Sequence, residues 1–290
     1  MEQRDGWRFA DDRGRTAASP GTPARLVAYL QAGAALFDHG LRPVAVFGSA
    51  HDGPEVDPAK AGALPPGEVT YLGPGPGVGV DAFLAHRPDL VVAVGYGTDR
   101  VYGLDPDTAK HLEEHVPVVL LDVGQGHSLD EVRDRFTALA VSLGAASRSP
   151  SAVEAARERL RAAAARAPGA RVLALSPAGP DSVHLARPGA WPDLRALADC
   201  GVRMAAPAPG AGVNWSTTDW TSAALLEADV VLADVRVNAE PLARLAGSPA
   251  WRAVTDGRTV VPWNPELPCS APAHAAFFDR VAEALAARRA

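Results

Sequence analysis

One pattern is written twice along this chain. Short, largely apolar runs, broken only by Arg25, Asp122 and Arg203, alternate with helical stretches, first at 25–29, 44–47, 90–94 and 118–122, then at 172–175, 202–205, 230–233 and 260–263. Strands this nearly continuous in apolar residues are covered on both faces, so each half predicts a parallel sheet flanked by helices. The helices expected between them are 32–39, 80–86 and 107–115 in the first half, and 191–199, 221–227 and 271–287 in the second. The segments Arg87-Pro88-Asp89-Leu90-Val91-Val92 and Glu227-Ala228-Asp229-Val230-Val231-Leu232 occupy the same place in each half.

The organisation follows from that repeat. Residues 1–22 are polar and turn-rich and read as an arm or hairpin. Residues 23–128 form an N-terminal lobe, 129–168 a helical connector and 169–290 a C-terminal lobe. The connector holds two helices, 129–143 and 151–167, and the second is almost entirely Ala, Arg, Glu and Leu, the strongest helix formers. A stiff helix in place of a glycine hinge predicts only slight movement of one lobe against the other. The expected fold class is therefore α/β, with two Rossmann-like parallel-sheet lobes joined by a long helix and a ligand cleft between the lobes.

Composition narrows the function. At 290 residues and 47% hydrophobic, the chain can bury sizeable cores. Its net charge of −6 gives no general attraction to nucleic acid or anionic lipid. Two distant cysteines, Cys200 and Cys269, make neither a disulfide framework nor a zinc site. The opening Met1-Glu2-Gln3-Arg4-Asp5-Gly6 carries no apolar leader and no lipid-anchor cysteine, which predicts a cytoplasmic protein, or an extracytoplasmic one if a leader preceded it.

The stretches 7–14, 23–27, 41–46, 81–92 and 251–260, taken in order and spacing, resemble motifs of the substrate-binding proteins of ABC importers, in the siderophore and cobalamin class. Trp7 to Gly14 resembles that family's opening strand pair. Pro23-Ala24-Arg25-Leu26-Val27 resembles its first lobe strand, Leu41-Arg42-Pro43-Val44-Ala45-Val46 the next, and the stretches from Asp81 to Val92 and from Trp251 to Val260 two later ones. The resemblance implies a bulky ferric siderophore or similar oxygen-rich chelate as ligand, with metal present only as part of that chelate and no resident cofactor. It also implies an ABC permease as partner, docked through one acidic residue per lobe. Asp81 keeps that charge in the first lobe, while Thr221 stands where the second is expected, which weakens electrostatic docking.

Ligands of open parallel sheets sit beyond the carboxyl ends of the strands. The loops there hold Tyr29, Gln31, Ser49, Tyr96 and Tyr102 in the first half, and Trp215, Trp220, Arg236 and Trp263 in the second. Aromatic rings offer a flat apolar face and a polar tip to such a chelate, and an arginine forks onto its oxygens. Each has a plainer alternative: Trp220 and Trp263 as a roof on the sheet, Arg236 in an ion pair with Asp234 or Glu240. His111-Leu112-Glu113-Glu114-His115 has the spacing of a metal-binding helix but lacks an evident third ligand, and charged residues on so short a helix usually face water. The run from Gly73 to Gly79 lacks the spacing and the Lys-Ser/Thr of a phosphate loop, and its prolines remove amides a phosphate would need. The competing reading is a cytosolic enzyme of siderophore-like biosynthesis on the same fold, with Asp219, Asp181, His184 or His51 as acid or base.

Overall fold

The computed structural model describes residues 6–146 and 151–287. Two compact units are resolved: residues 1–149 with 266–270, and residues 150–265 with 271–290.

The first unit opens with an antiparallel hairpin, β1 (Trp7–Ala10) and β2 (Thr16–Ser19). Trp7, Phe9 and Ala17 are buried, so the hairpin is part of the core and not a loose arm. The strands β3 (Leu26–Tyr29), β4 (Ala45–Phe47), β5 (Thr70–Tyr71), β6 (Leu90–Gly95) and β7 (Val118–Asp122) form one parallel sheet in the order β5-β4-β3-β6-β7. Every residue of β3, β4 and β6 is buried, as strands covered on both faces require. The helices are α1 (Leu30–Asp38), α2 (Pro58–Ala61), α3 (Val80–Leu84), α4 (Pro106–Glu113) and α5 (Leu129–Ser142). Local chemistry sets their starts. Asp105 caps α4 with Pro106 at its first position, and Ser128 and Glu131 close a reciprocal capping box on α5.

The Gly-Pro run is a packing device. A Cβ on Gly75 would lie 1.7 Å from the carbonyl oxygen of Gly103 and 2.6 Å from that of Gly48, so only glycine lets the three loops meet.

The second unit begins with α6 (Ser151–Arg166). Its sheet contains β8 (Arg171–Pro177), β9 (Val183–Ala186), β10 (Arg203–Ala205), β11 (Trp215–Thr218), β12 (Val230–Asp234) and β13 (Thr259–Trp263). Its helices are α7 (Pro192–Asp199), α8 (Trp220–Ala224), α9 (Leu242–Leu245), α10 (Pro249–Thr255) and α11 (Ala271–Ala286). This sheet is mixed and not wholly parallel. β8, β10, β12 and β13 run parallel, while β9 and β11 form an antiparallel ribbon in segments expected as loops. One edge of β8 is divided: Arg171–Leu173 pair with β10, and Leu175–Pro177 pair with β9.

The expected connector is shared out between the units. α5 packs on α1, β1 and β7 of the first, and α6 lies along α11 of the second. Each helix has an apolar face of its own to bury: Phe136 and Leu139 in α5, Val153, Ala156 and Leu160 in α6. The link at 147–150 lies outside the described residues.

Candidate functional site

In the first unit, the expected ligand residues surround an aromatic and ionic cluster. Tyr29 ends β3, Phe47 ends β4, and Tyr96 and Tyr102 lie in the loop after β6. Their rings meet edge-on, Tyr29 with Tyr102 at 5.5 Å, Tyr96 with Tyr102 at 4.7 Å and Tyr29 with Phe47 at 5.7 Å between centroids. Tyr96 and Tyr102 are half-buried, but Tyr29 is fully buried. The Tyr29 hydroxyl donates to Glu266, and burial followed by the Glu266 charge raises its pKa well above the tyrosine value.

Glu266 belongs to the short segment Glu266–Ser270 that the first unit holds. Lys60, on α2, lies 2.8 Å from Glu266 and 2.9 Å from Asp52, and all three side chains are buried. Burial alone would lower the lysine; the charges of Glu266 and Asp52 outweigh it and hold the ammonium above its ordinary range. Ser49 and Gln31 serve the same framework. The Ser49 amide and hydroxyl donate to Asp52 at 2.7 and 3.0 Å, and the Gln31 amide donates to the Leu267 carbonyl at 2.9 Å. Both residues are buried.

In the second unit three indoles meet. Trp215, on β11, is 5.0 Å from Trp191 and 5.9 Å from Trp263, with the His184 ring 6.2 Å away. Trp215 is half-buried, whereas Trp191 and Trp263 are buried. The buried indoles are anchored by their N–H groups: Trp263 donates to Asp193 at 2.7 Å, and Trp191 to the Asn214 carbonyl at 3.1 Å. Burial pushes the Asp193 carboxyl up to about 6, with the Trp263 bond opposing it. Trp220 is elsewhere. It packs edge-on with Trp251 at 5.8 Å in the hydrophobic core, and its N–H donates to the Gly179 carbonyl.

Arg236 follows β12, and its guanidinium is forked onto Asp234 at 2.8 to 3.2 Å, with Ser176 donating to the same carboxylate at 2.8 Å. Both Arg236 and Asp234 are buried. Of the two alternatives open in the sequence, the ion pair with Asp234 is formed.

His51 is exposed in the first unit, while Asp181, His184 and Asp219 are in the second. His184 bonds Thr217 across the β9–β11 ribbon, and Asp219 caps α8 by accepting from the Ser222 amide, which lowers its pKa. A carboxylate held that way is a weak proton acceptor. His111 and Glu114 form an exposed pair at 3.6 Å, and no group of three metal ligands occurs among the described residues. Asp81 and Thr221 are exposed, each the second residue of a five-residue helix, α3 or α8. Cys200 and Cys269 are buried and are not joined in a disulfide.

Sequence reasoning missed Lys60, Asp52, Glu266, Trp191 and Asp193. The sequence does carry one signal for Lys60: it is one of two lysines in the chain, set among prolines and glycines.

The model of the family described as periplasmic binding protein matches residues 27–261. The ferric-siderophore receptor DesE of Streptomyces coelicolor is similar at 28% identity and a TM-score of 0.87, over 98% of this chain and 99% of that one. FhuD of Vibrio cholerae, a siderophore-binding protein solved with Fe3+-Desferal, shares the fold at 21% identity and a TM-score of 0.65, over 92% and 99%. So does the siderophore periplasmic binding protein from the fuscachelin cluster of Thermobifida fusca, at 17% and 0.65, over 91% and 96%. No curated protein matches the sequence significantly.

Proposed function

We propose that this chain, which belongs to the periplasmic binding protein family, is a receptor for a ferric siderophore or a similar oxygen-rich chelate. The observation that carries this is the likeness to the DesE ferric-siderophore receptor along nearly the whole of both chains. Iron enters as part of the cargo. The residues we assign to ligand contact are the half-buried Tyr96 and Tyr102 of the first unit and Trp215 of the second. Tyrosine hydroxyls suit ligand oxygens, and an indole face covers apolar skeleton. Tyr29, Gln31, Ser49, Trp263 and Arg236 are buried, and we assign them to holding the surrounding rings and loops in place, while Trp220 is buried against Trp251 and is assigned to the core.

The enzyme reading is not carried further, since the named neighbours are receptors or binding proteins and Asp219 is committed to its helix cap. The family description favours work outside the cytoplasmic membrane, and no helix among the described residues is long and apolar enough to cross one. An ABC permease is the partner class we propose, docked through Asp81 on one unit, with a weakened second contact at Thr221.

Ferric hydroxamates and catecholates absorb visible light, so retention is read directly. Protein mixed with excess Fe3+-Desferal or a ferric catecholate and passed through a desalting column should emerge coloured, with iron near one equivalent. Colourless, iron-free protein after the whole panel would overturn the assignment.

A further inference from the structure

The first unit carries a cavity of about 520 Å³ beside α4, lined in part by Arg13, Arg15, Asp99, Arg100, Lys110 and Glu113. It is built from the β1–β2 turn, the loop after β6 and one face of α4. None of the residues assigned above to the siderophore lines it. Its volume falls within the roughly 300–1,000 Å³ usual for small-molecule sites.

The four cations there do different work. Arg13 and Arg15 both bond Glu113, and Arg13 also bonds Asp11 and the Val118 carbonyl. These contacts dock the hairpin turn on α4 and β7 and consume that charge. Arg100 and Lys110 are exposed, and among the described residues their side chains make no hydrogen bond or ion pair. Asp99 lies on the same rim and offsets one of them. Val101, Leu104 and Ala109 add apolar lining to the same cavity. On a chain whose net charge is −6, this is a local excess of uncommitted positive charge beside apolar surface in a concave site.

We infer that this cavity is a second binding site, for a small organic anion: a carboxylate or sulfonate on an aryl or alkyl body. The apolar body would lie along Val101, Leu104 and Ala109. The acid group would reach Arg100 and Lys110, which are free to turn toward it. Such a site would let the receptor respond to an anionic metabolite independently of its chelate.

The probe that tests this is 8-anilinonaphthalene-1-sulfonate, an aryl sulfonate whose fluorescence rises on an apolar surface. Titrated into the full chain, it should give a saturable enhancement that weakens as NaCl is raised. Lys110→Glu should weaken it about tenfold, and Ala109→Trp, which fills the cavity, should remove it. Excess Fe3+-Desferal should leave it in place. Absence of enhancement with the wild type, unchanged binding in both variants, or displacement by Fe3+-Desferal would each overturn the inference.

Discussion

The ammonium of Lys60 lies 2.8 Å from the carboxylate of Glu266, and neither side chain reaches solvent. Asp52 and the Tyr29 hydroxyl complete the cluster, which fastens the segment Glu266–Ser270 into the first unit. Removing one partner of a buried pair leaves an uncompensated charge, which typically costs about 3–5 kcal/mol. Lys60→Met strands two carboxylates and is expected to destabilise at the upper end of that range. The double variant Lys60→Met, Glu266→Gln should recover part of the loss. Urea unfolding of the singles and the double checks this; strictly additive losses would mean that the two side chains act independently.

Asp193 makes stability depend on pH. Its folded pKa is raised to about 6 from an ordinary 3.8, so the folded state binds the proton more tightly. Between those values the group contributes stability at the lower pH, and that contribution fades as pH rises through about 6. Asp193→Asn keeps an acceptor for the Trp263 indole and carries no charge. It should flatten stability between pH 4 and 7 and raise it at pH 7.5 by on the order of 1–3 kcal/mol. Melting curves across that range provide the check, and an unchanged pH profile would mean that Asp193 does not carry the effect.

Arg236 is expected to matter first for stability. Its guanidinium neutralises a fully buried Asp234. Arg236→Ala should therefore cost about 3–5 kcal/mol, and chelate affinity should fall in step with the folded fraction. A stable variant with affinity reduced tenfold or more would instead put the guanidinium on the ligand.

The strands were legible where burial was total. Val27, Val91 and Val231 sit in runs with no polar interruption, and each became a central strand. The ribbon of β9 and β11 was not legible, because Trp-Ser-Thr-Thr carries polar residues on a strand that pairs on one side only. The ends of β3, β6 and β13 correctly located Tyr29, Tyr96 and Trp263. What sequence could not supply was their exposure: Tyr29 and Trp263 turn inward because Glu266 and Asp193 accept their polar tips. Those partners lie far away in sequence. Lys60 likewise depends for its burial on the distant Glu266, together with the nearby Asp52, and no local pattern pairs either carboxylate with it.

The half-buried rings should set affinity without setting stability. Trp215→Ala and Tyr102→Phe remove an indole face and a single hydroxyl. An aromatic contact is typically worth about 1 kcal/mol beyond its area, so Trp215→Ala should weaken chelate binding about tenfold once lost area is included. Tyr102→Phe should weaken it a few-fold. Isothermal titration of variants that melt within a few degrees of wild type would measure both, and wild-type affinity in both would move the site elsewhere.

Tryptophan fluorescence during titration with ferric chelates tests the central assignment most directly. A ferric complex is a strong quencher at short range, and Trp215, Trp191 and Trp263 lie within 6 Å of one another. The receptor reading predicts saturable quenching by at least one ferric hydroxamate or catecholate, reduced in Trp215→Ala and absent with the iron-free ligand at the same concentrations. Fluorescence unmoved by every ferric chelate in the panel would contradict it.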